Sequence, residues 1–188
     1  MRYSKWDVRF LTLAAHVALW SKDPSTKVGA VIADERNRIM SIGFNGPARG
    51  TSDDHSVFSD RAEKLRRTLH AESNAIDFAR ADLTGTTMYV TQHPCAQCAS
   101  RIVQVGIAVV MYPAMQNPEF EARWKADIAS ATNIFAEAGV LVVGVVTPEE
   151  PLLSFEVPIN VSPSLAVGPG GPLSWPVLDQ AGGYSIGG

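Results

Sequence analysis

Two short segments constrain this chain more than anything else in it: His70-Ala-Glu72, and further along Pro94-Cys95-Ala-Gln-Cys98. Each stands where a helix is expected to begin. A fold that uses both must therefore set two helix starts side by side. One imidazole and two thiols are three ligands for a zinc ion. Structural zinc sites close all four positions with protein atoms, whereas catalytic ones keep one for water. Cys95 and Cys98 are spaced so that both sulfurs lie on one helix face. The helix N-terminus and a bound cation both favour the thiolates that zinc needs. Pro94 stands where a missing amide hydrogen costs nothing.

The bland reading of the cysteine pair is a redox couple or two buried thiols, but no thioredoxin-like pattern surrounds it. An isolated His70 would be a structural histidine, and an isolated Glu72 a partner of the helix dipole. Placed together, they read as a metal ligand and a proton shuttle. Zinc brings the pKa of a water molecule to roughly 7. Glu72 can take the proton of the attacking water as base and deliver it to the substrate as acid, because one carboxyl stays within reach throughout. His93, two residues before Cys95, is either a fourth ligand that closes the site or a residue lining the pocket. His16 and His55 have no motif around them and read as structural or solvent-facing.

The chain of 188 residues suits one domain with length to spare. Its net charge of −3 and pI near 5.8 argue against a general nucleic-acid binder. The opening segment is interrupted by Lys5, Asp7 and Arg9, unlike a signal peptide. No run is long and apolar enough to span a membrane. Both cysteines lie in one motif, which suits metal or redox use in a reducing cytosol and gives the expectation of a cytoplasmic protein.

Apolar spacing predicts a helix from about Trp6 to Trp20, with Phe10, Leu11, Ala14 and Val17 on its inner side. Val28–Ala33 and Ile39–Phe44, joined by Asp34-Glu-Arg-Asn37, read as a β-hairpin. Residues 45–69 form a long polar connection, of the kind that is functional or carries local structure. Then follow a helix over 70–81, a strand over 86–91, a helix over 95–105 closed by Gly106, a strand over 107–112, a helix over 119–138 and a strand over 140–146. This alternation predicts an α/β domain over residues 1–146: a five-stranded mixed sheet with helices on both faces. From Thr147 the chain turns rich in Pro and Gly, so residues 147–188 read as an extension, with Phe155 and Trp175 available to pack.

These residues resemble the deoxycytidylate (dCMP) deaminases of the cytidine deaminase superfamily. The resemblance covers Ser21-Lys-Asp-Pro-Ser-Thr-Lys-Val-Gly-Ala30, Gly43-Phe-Asn-Gly46, Gly50-Thr-Ser-Asp-Asp54 and the two metal segments. It implies a cytidine-deaminase-like three-layer α/β/α fold and a Zn2+ cofactor. It also implies substrate contacts from Thr26, Lys27, Val28, Asn45 and the Ala71 carbonyl. Ser25, Thr26 and Lys27 are expected near the monophosphate, although a solvated loop serves Lys27 as well. Asn45, Gly46 and Arg49 are expected at an effector site for dCTP and dTTP, and the protein is expected to be a homo-oligomer. The segment Arg66-Arg-Thr-Leu69 and the stretch after Thr147 depart from the family pattern.

The expected activity is hydrolysis of dCMP to dUMP and ammonia, which supplies thymidylate synthesis. The alternatives are a base deaminase acting on tRNA or single-stranded DNA, a deaminase of 5-substituted dCMP or dCTP, and a non-catalytic zinc domain. The last is opposed by the presence of Glu72.

Overall fold

Helix α1 (Lys5–Ala18) begins at Ser4, whose hydroxyl accepts the amides of Trp6 and Asp7 while Asp7 accepts the Ser4 amide. This reciprocal cap fixes the helix start. Strands β1 (Gly29–Ala33) and β2 (Ile39–Phe44) form the expected hairpin. The Asp34 carboxylate gathers the amides of Arg36 and Arg38 in its turn, and Asn37 takes a left-handed conformation at φ 61°. The chain continues through β3 (Gly46–Pro47), α2 (Arg61–Arg67), β4 (Thr68–Leu69), α3 (Ala71–Phe78) and β5 (Thr87–Val90). It ends with α4 (Ala96–Gln104), β6 (Val109–Pro113), α5 (Pro118–Ala138) and β7 (Leu141–Val145). This computed structural model describes residues 3–54, 58–115 and 118–146. The extension from Thr147, with Phe155 and Trp175, lies outside the described residues, as does His55.

The sheet order is β2-β1-β5-β6-β7. β1 runs antiparallel to both neighbours, and β5, β6 and β7 are parallel. Strand side chains alternate between faces, and each face here has its own core. Ala30, Ile32, Met88, Val90 and Val110 pack with Ala71 and Ala75 of α3, Ala99 and Ile102 of α4, and Ala131 and Phe135 of α5. Val31, Ala33, Tyr89, Met111 and Val145 pack with Phe10, Leu11 and Ala14 of α1. The result is the expected three-layer α/β/α arrangement.

Two glycines set how closely helices approach the sheet. A Cβ on Gly29 would lie 2.1 Å from the Ala14 carbonyl oxygen of α1. A Cβ on Gly43 would lie 2.4 Å from both the Ala71 oxygen and the Ala75 nitrogen of α3. Real Cβ atoms do not come that close, so Gly43 is what lets the helix behind His70 seat against β2.

The connection 45–69 carries local structure. β3 and β4 pair through Gly46 with Leu69 and Pro47 with Thr68, and α2 lies between them. α3 is shorter than its apolar spacing predicts, because Ala79 turns extended at ψ 136°. Among the described residues, no helix is long and apolar enough to cross a membrane.

Candidate active site

His70 and Cys95 each occupy the residue immediately before a helix, with extended backbone, rather than the first helical turn itself. Neither side chain caps its helix, so both are free to point at a shared centre. Cys98 follows within the first turn of α4. Nδ1 of His70 stands 3.5 Å from Cys95 Sγ and 3.4 Å from Cys98 Sγ. A tetrahedral zinc with ordinary Zn–S and Zn–N bonds would separate such donors by about 3.6 Å. The residues therefore fit the ion. All three ligand atoms lie within 4.8 Å of one another, and among the described residues no other such group is found.

His93 stands apart from that group. Its Nδ1 donates to the Pro94 carbonyl at 2.9 Å, and its ring meets Tyr112 edge-on at 5.0 Å. Burial lowers its pKa, so the ring is held neutral. It lines the cavity, as one of the two sequence readings has it. His16 packs edge-on against Trp20.

Glu72 follows two residues after His70 and is only 4% exposed. Burial pushes its carboxyl pKa up, against the opposing pull of His70. His70 itself is pushed up to about 9, first by its hydrogen bond with Cys95. Cys95 is held down to about 4, first by the hydrogen bond from Cys98, and Cys98 is raised in turn. The three ligands thus share protons that a metal must displace.

The site opens into a cavity of about 290 Å³. His70, Ala71, Glu72 and Cys95 line it, as do Val28, Asn45, Gln92 and His93 and, from α5, Phe120, Trp124 and Ile128. The Trp124 ring stands edge-on to His70 at 6.3 Å. Ser25, Thr26, Arg61, Lys64 and Arg123 also line it, and Ser25, Arg61 and Arg123 are exposed, which marks the cavity's mouth.

Asn45 does a structural job that spacing alone does not reveal. Its Oδ1 accepts the Val28 amide at 2.7 Å and its Nδ2 donates to the Thr26 carbonyl at 2.9 Å. It holds the chain over residues 26–28 in place while facing the cavity. Asp23 does the same one turn earlier, accepting the Ser25 and Thr26 amides and an ion pair from Lys64 at 3.1 Å. Burial alone would raise the Asp23 pKa; these amides, Lys64 and the Ser25 hydroxyl hold it below the ordinary carboxylate range.

Lys27 lies outside the cavity, with its ammonium 3.4 Å from the Leu19 carbonyl. Lys64 lines the cavity, and its Nζ also lies 2.5 Å from Ser25 Oγ. The Ala71 oxygen, expected to meet a substrate amine, sits against Gly43. Gly46 and Arg49 are not among the lining residues; Arg49 stacks its guanidinium 5.2 Å over the Phe78 ring.

The spacing of residues 61, 64, 65 and 68, and of 120, 123, 124 and 128, is that of one helix face each. That signal was present in the sequence. Only the fold shows that both faces look into one cavity.

A buried carboxyl beside an imidazole and two thiols, at the wall of a small-molecule cavity, is the construction of a zinc hydrolase. Residues 4–114 match the model of the cytidine and deoxycytidylate deaminase zinc-binding region. The chain belongs to that deaminase family and binds zinc. It is 48% identical over 137 residues to the uncharacterized deaminase of the luxG 3' region of Aliivibrio fischeri, covering 73% of this chain and 91% of the relative. It is 38% identical over 144 residues to deoxycytidylate deaminase of Mus musculus, covering 73% of this chain and 78% of the relative. The crystal structure of dCMP deaminase from cyanophage S-TIM5 with dCMP and dUMP is similar in fold. Its TM-score is 0.60 at 20% identity, over 77% of this chain and all of that one.

Proposed function

We propose that this protein hydrolyses dCMP to dUMP and ammonia, with His70, Cys95 and Cys98 holding zinc and Glu72 moving the protons. The observation that carries this reading is a cavity lined both by His70, Glu72 and Cys95 and by the cations Arg61, Lys64 and Arg123, of which Arg61 and Arg123 are exposed. A nucleobase amine suits the first and a monophosphate the second. Zinc, when bound, acidifies water so that it serves as a nucleophile at neutral pH. Glu72 accepts the water proton, passes it to the ring nitrogen, and delivers a proton to the leaving amine. Its enclosure keeps one carboxyl in contact with all three sites. Val28 and Trp124 bracket the base, and the apolar wall of Phe120, Trp124 and Ile128 keeps bulk water from the ligands.

The identity of 38% to the mouse deoxycytidylate deaminase supports this substrate. A tRNA or single-stranded DNA substrate is disfavoured by the net charge of −3. Ammonia release from dCMP, CMP, dCTP, 5-methyl-dCMP and a tRNA anticodon stem tests the reading. Turnover should be greatest on dCMP, and a faster reaction on the tRNA stem would overturn it.

The proposal extends to a homo-oligomer that answers to dCTP and dTTP. Arg49 is exposed outside the cavity, where a triphosphate could be met without blocking the substrate. Trp20, Phe44 and Phe78 leave large apolar surfaces open, which supports assembly. Sedimentation tests assembly, and dCMP saturation curves with each triphosphate test regulation; Arg49→Ala should blunt the response while sparing saturated turnover. Two unpaired cysteines used as ligands fit the reducing conditions of a cytoplasmic location.

A further inference from the structure

Pro94 is buried immediately before Cys95, and as a proline it has no amide hydrogen. Its carbonyl is therefore the one backbone group through which hydrogen bonding can hold it. A buried carbonyl needs a donor. Among the described residues no backbone amide supplies one; the Ala99 amide of α4 goes instead to the Cys95 oxygen, at 2.9 Å. The donor is the His93 ring, whose Nδ1 lies 2.9 Å from the Pro94 oxygen. A carbonyl only accepts, so the proton of a neutral ring sits on Nδ1 and Nε2 is bare.

The ring is itself held. It is buried and meets Tyr112 of β6 edge-on at 5.0 Å. The chain enters this segment from Thr91, which is locked to the start of β1: its amide donates to the Gly29 carbonyl at 3.1 Å, and its Oγ1 accepts the Gly29 amide at 3.2 Å. The chain leaves the segment at Cys95, the residue before α4. Gln92, His93 and Pro94 thus span the step from the sheet to the first sulfur. The peptide plane whose oxygen His93 binds carries the Cys95 nitrogen on its other side. Turning that plane turns the Cα–Cβ bond that aims Sγ.

We infer that His93 is a positioning residue for the metal centre: through Nδ1 it fixes the Pro94–Cys95 peptide and so aims Cys95 Sγ at the zinc shared with His70 and Cys98. The inference rests on the ligand set proposed above. It gives His93 a role beside the metal although its ring falls outside the group formed by the His70 nitrogen and the two sulfurs.

The test measures zinc affinity of the full chain by competition with a chromophoric chelator, and the visible spectrum of the same chain loaded with cobalt(II), whose bands report ligand geometry. His93→Phe keeps a ring against Tyr112 and loses the donor. It should weaken zinc binding by about 10–100-fold, the scale for removing a group that orients a metal ligand, and should shift the cobalt bands. His93→Asn, whose side-chain amide can donate from the same place, should recover most of the affinity and the original spectrum. Unchanged affinity and spectrum in His93→Phe, or a His93→Asn chain that binds no better than His93→Phe, would overturn the inference. Nitrogen NMR of the imidazoles in the unaltered, zinc-loaded chain should find the His93 proton on Nδ1. A bare Nδ1 would overturn the inference with no variant, even if a substituted chain fails to fold. Cys95→Ser separates this role from the ligand set beneath it. If Cys95→Ser weakens zinc binding and His93→Phe does not, the role of His93 alone falls; if neither does, the ligand set falls with it.

Discussion

Glu72 is a buried carboxyl that the fold keeps close to three metal ligands, and burial raises its pKa toward the range where a group both takes and gives a proton. Glu72→Gln should keep fold and zinc but lose turnover by at least about 100-fold, the lower range for a removed acid–base group. Zinc content and kcat on the same sample check this, and near-normal turnover would rule the role out. At this scale the sequence was most legible where chemistry is local. His70, Glu72, Cys95 and Cys98 are recognisable because two tight spacings at helix starts carry the candidate ligands and the proposed shuttle. Arg61, Lys64, Arg123 and Trp124 were not, because nothing local says that α2 and α5 converge on one cavity. Lys27 shows the converse: its segment suggested phosphate, but the chain turns its ammonium to the Leu19 carbonyl.

Among the elements, α3 and α2 are held in contrasting ways. α3 is pressed onto β2 across Gly43, so the site depends on a residue with no side chain. Gly43→Ala should push α3 outward and cost about 1–3 kcal/mol of stability, as overpacking does, with a matching loss of zinc affinity. Thermal melting and metal titration check it; an unchanged melting temperature would mean that α3 gives way freely. α2 buries none of its residues. Its tie to the site is Lys64, paired to Asp23 and Ser25. Its amides should therefore exchange with solvent faster than those of α4, and Lys64→Met should speed them further and raise KM for dCMP. Exchange as slow as that of α4 would show that α2 is anchored otherwise. The Asp23 pKa lies below its unfolded value of 3.8, so the pair stabilises the fold above that pH and the contribution is lost as pH falls through the folded value. The melting-temperature gap between the unaltered protein and Asp23→Asn should accordingly narrow at acid pH. Strand and helix alternation was readable from periodicity over residues 86–146. The short elements inside 45–69 were not, because β3 and β4 are two residues each and rest on pairing across the chain, not on pattern.

For the whole molecule, a net charge of −3 coexists with a cationic mouth, so charge is arranged for a small anion and against a long polyanion. The sheet brings these groups to one cavity: Val28 just before β1 and Gln92 just after β5, His70 and Cys95 at the two helix starts, and the cations of α2 and α5 all line it. The most direct measurement is kcat/KM of the zinc-loaded full chain on dCMP and on deoxycytidine, with dUMP and ammonia quantified. The account predicts equimolar products and a preference for dCMP of at least about tenfold, since charge-assisted hydrogen bonds to the phosphate are worth about 1.5–3 kcal/mol each. Equal efficiency on the two substrates, or no ammonia from dCMP, would contradict it.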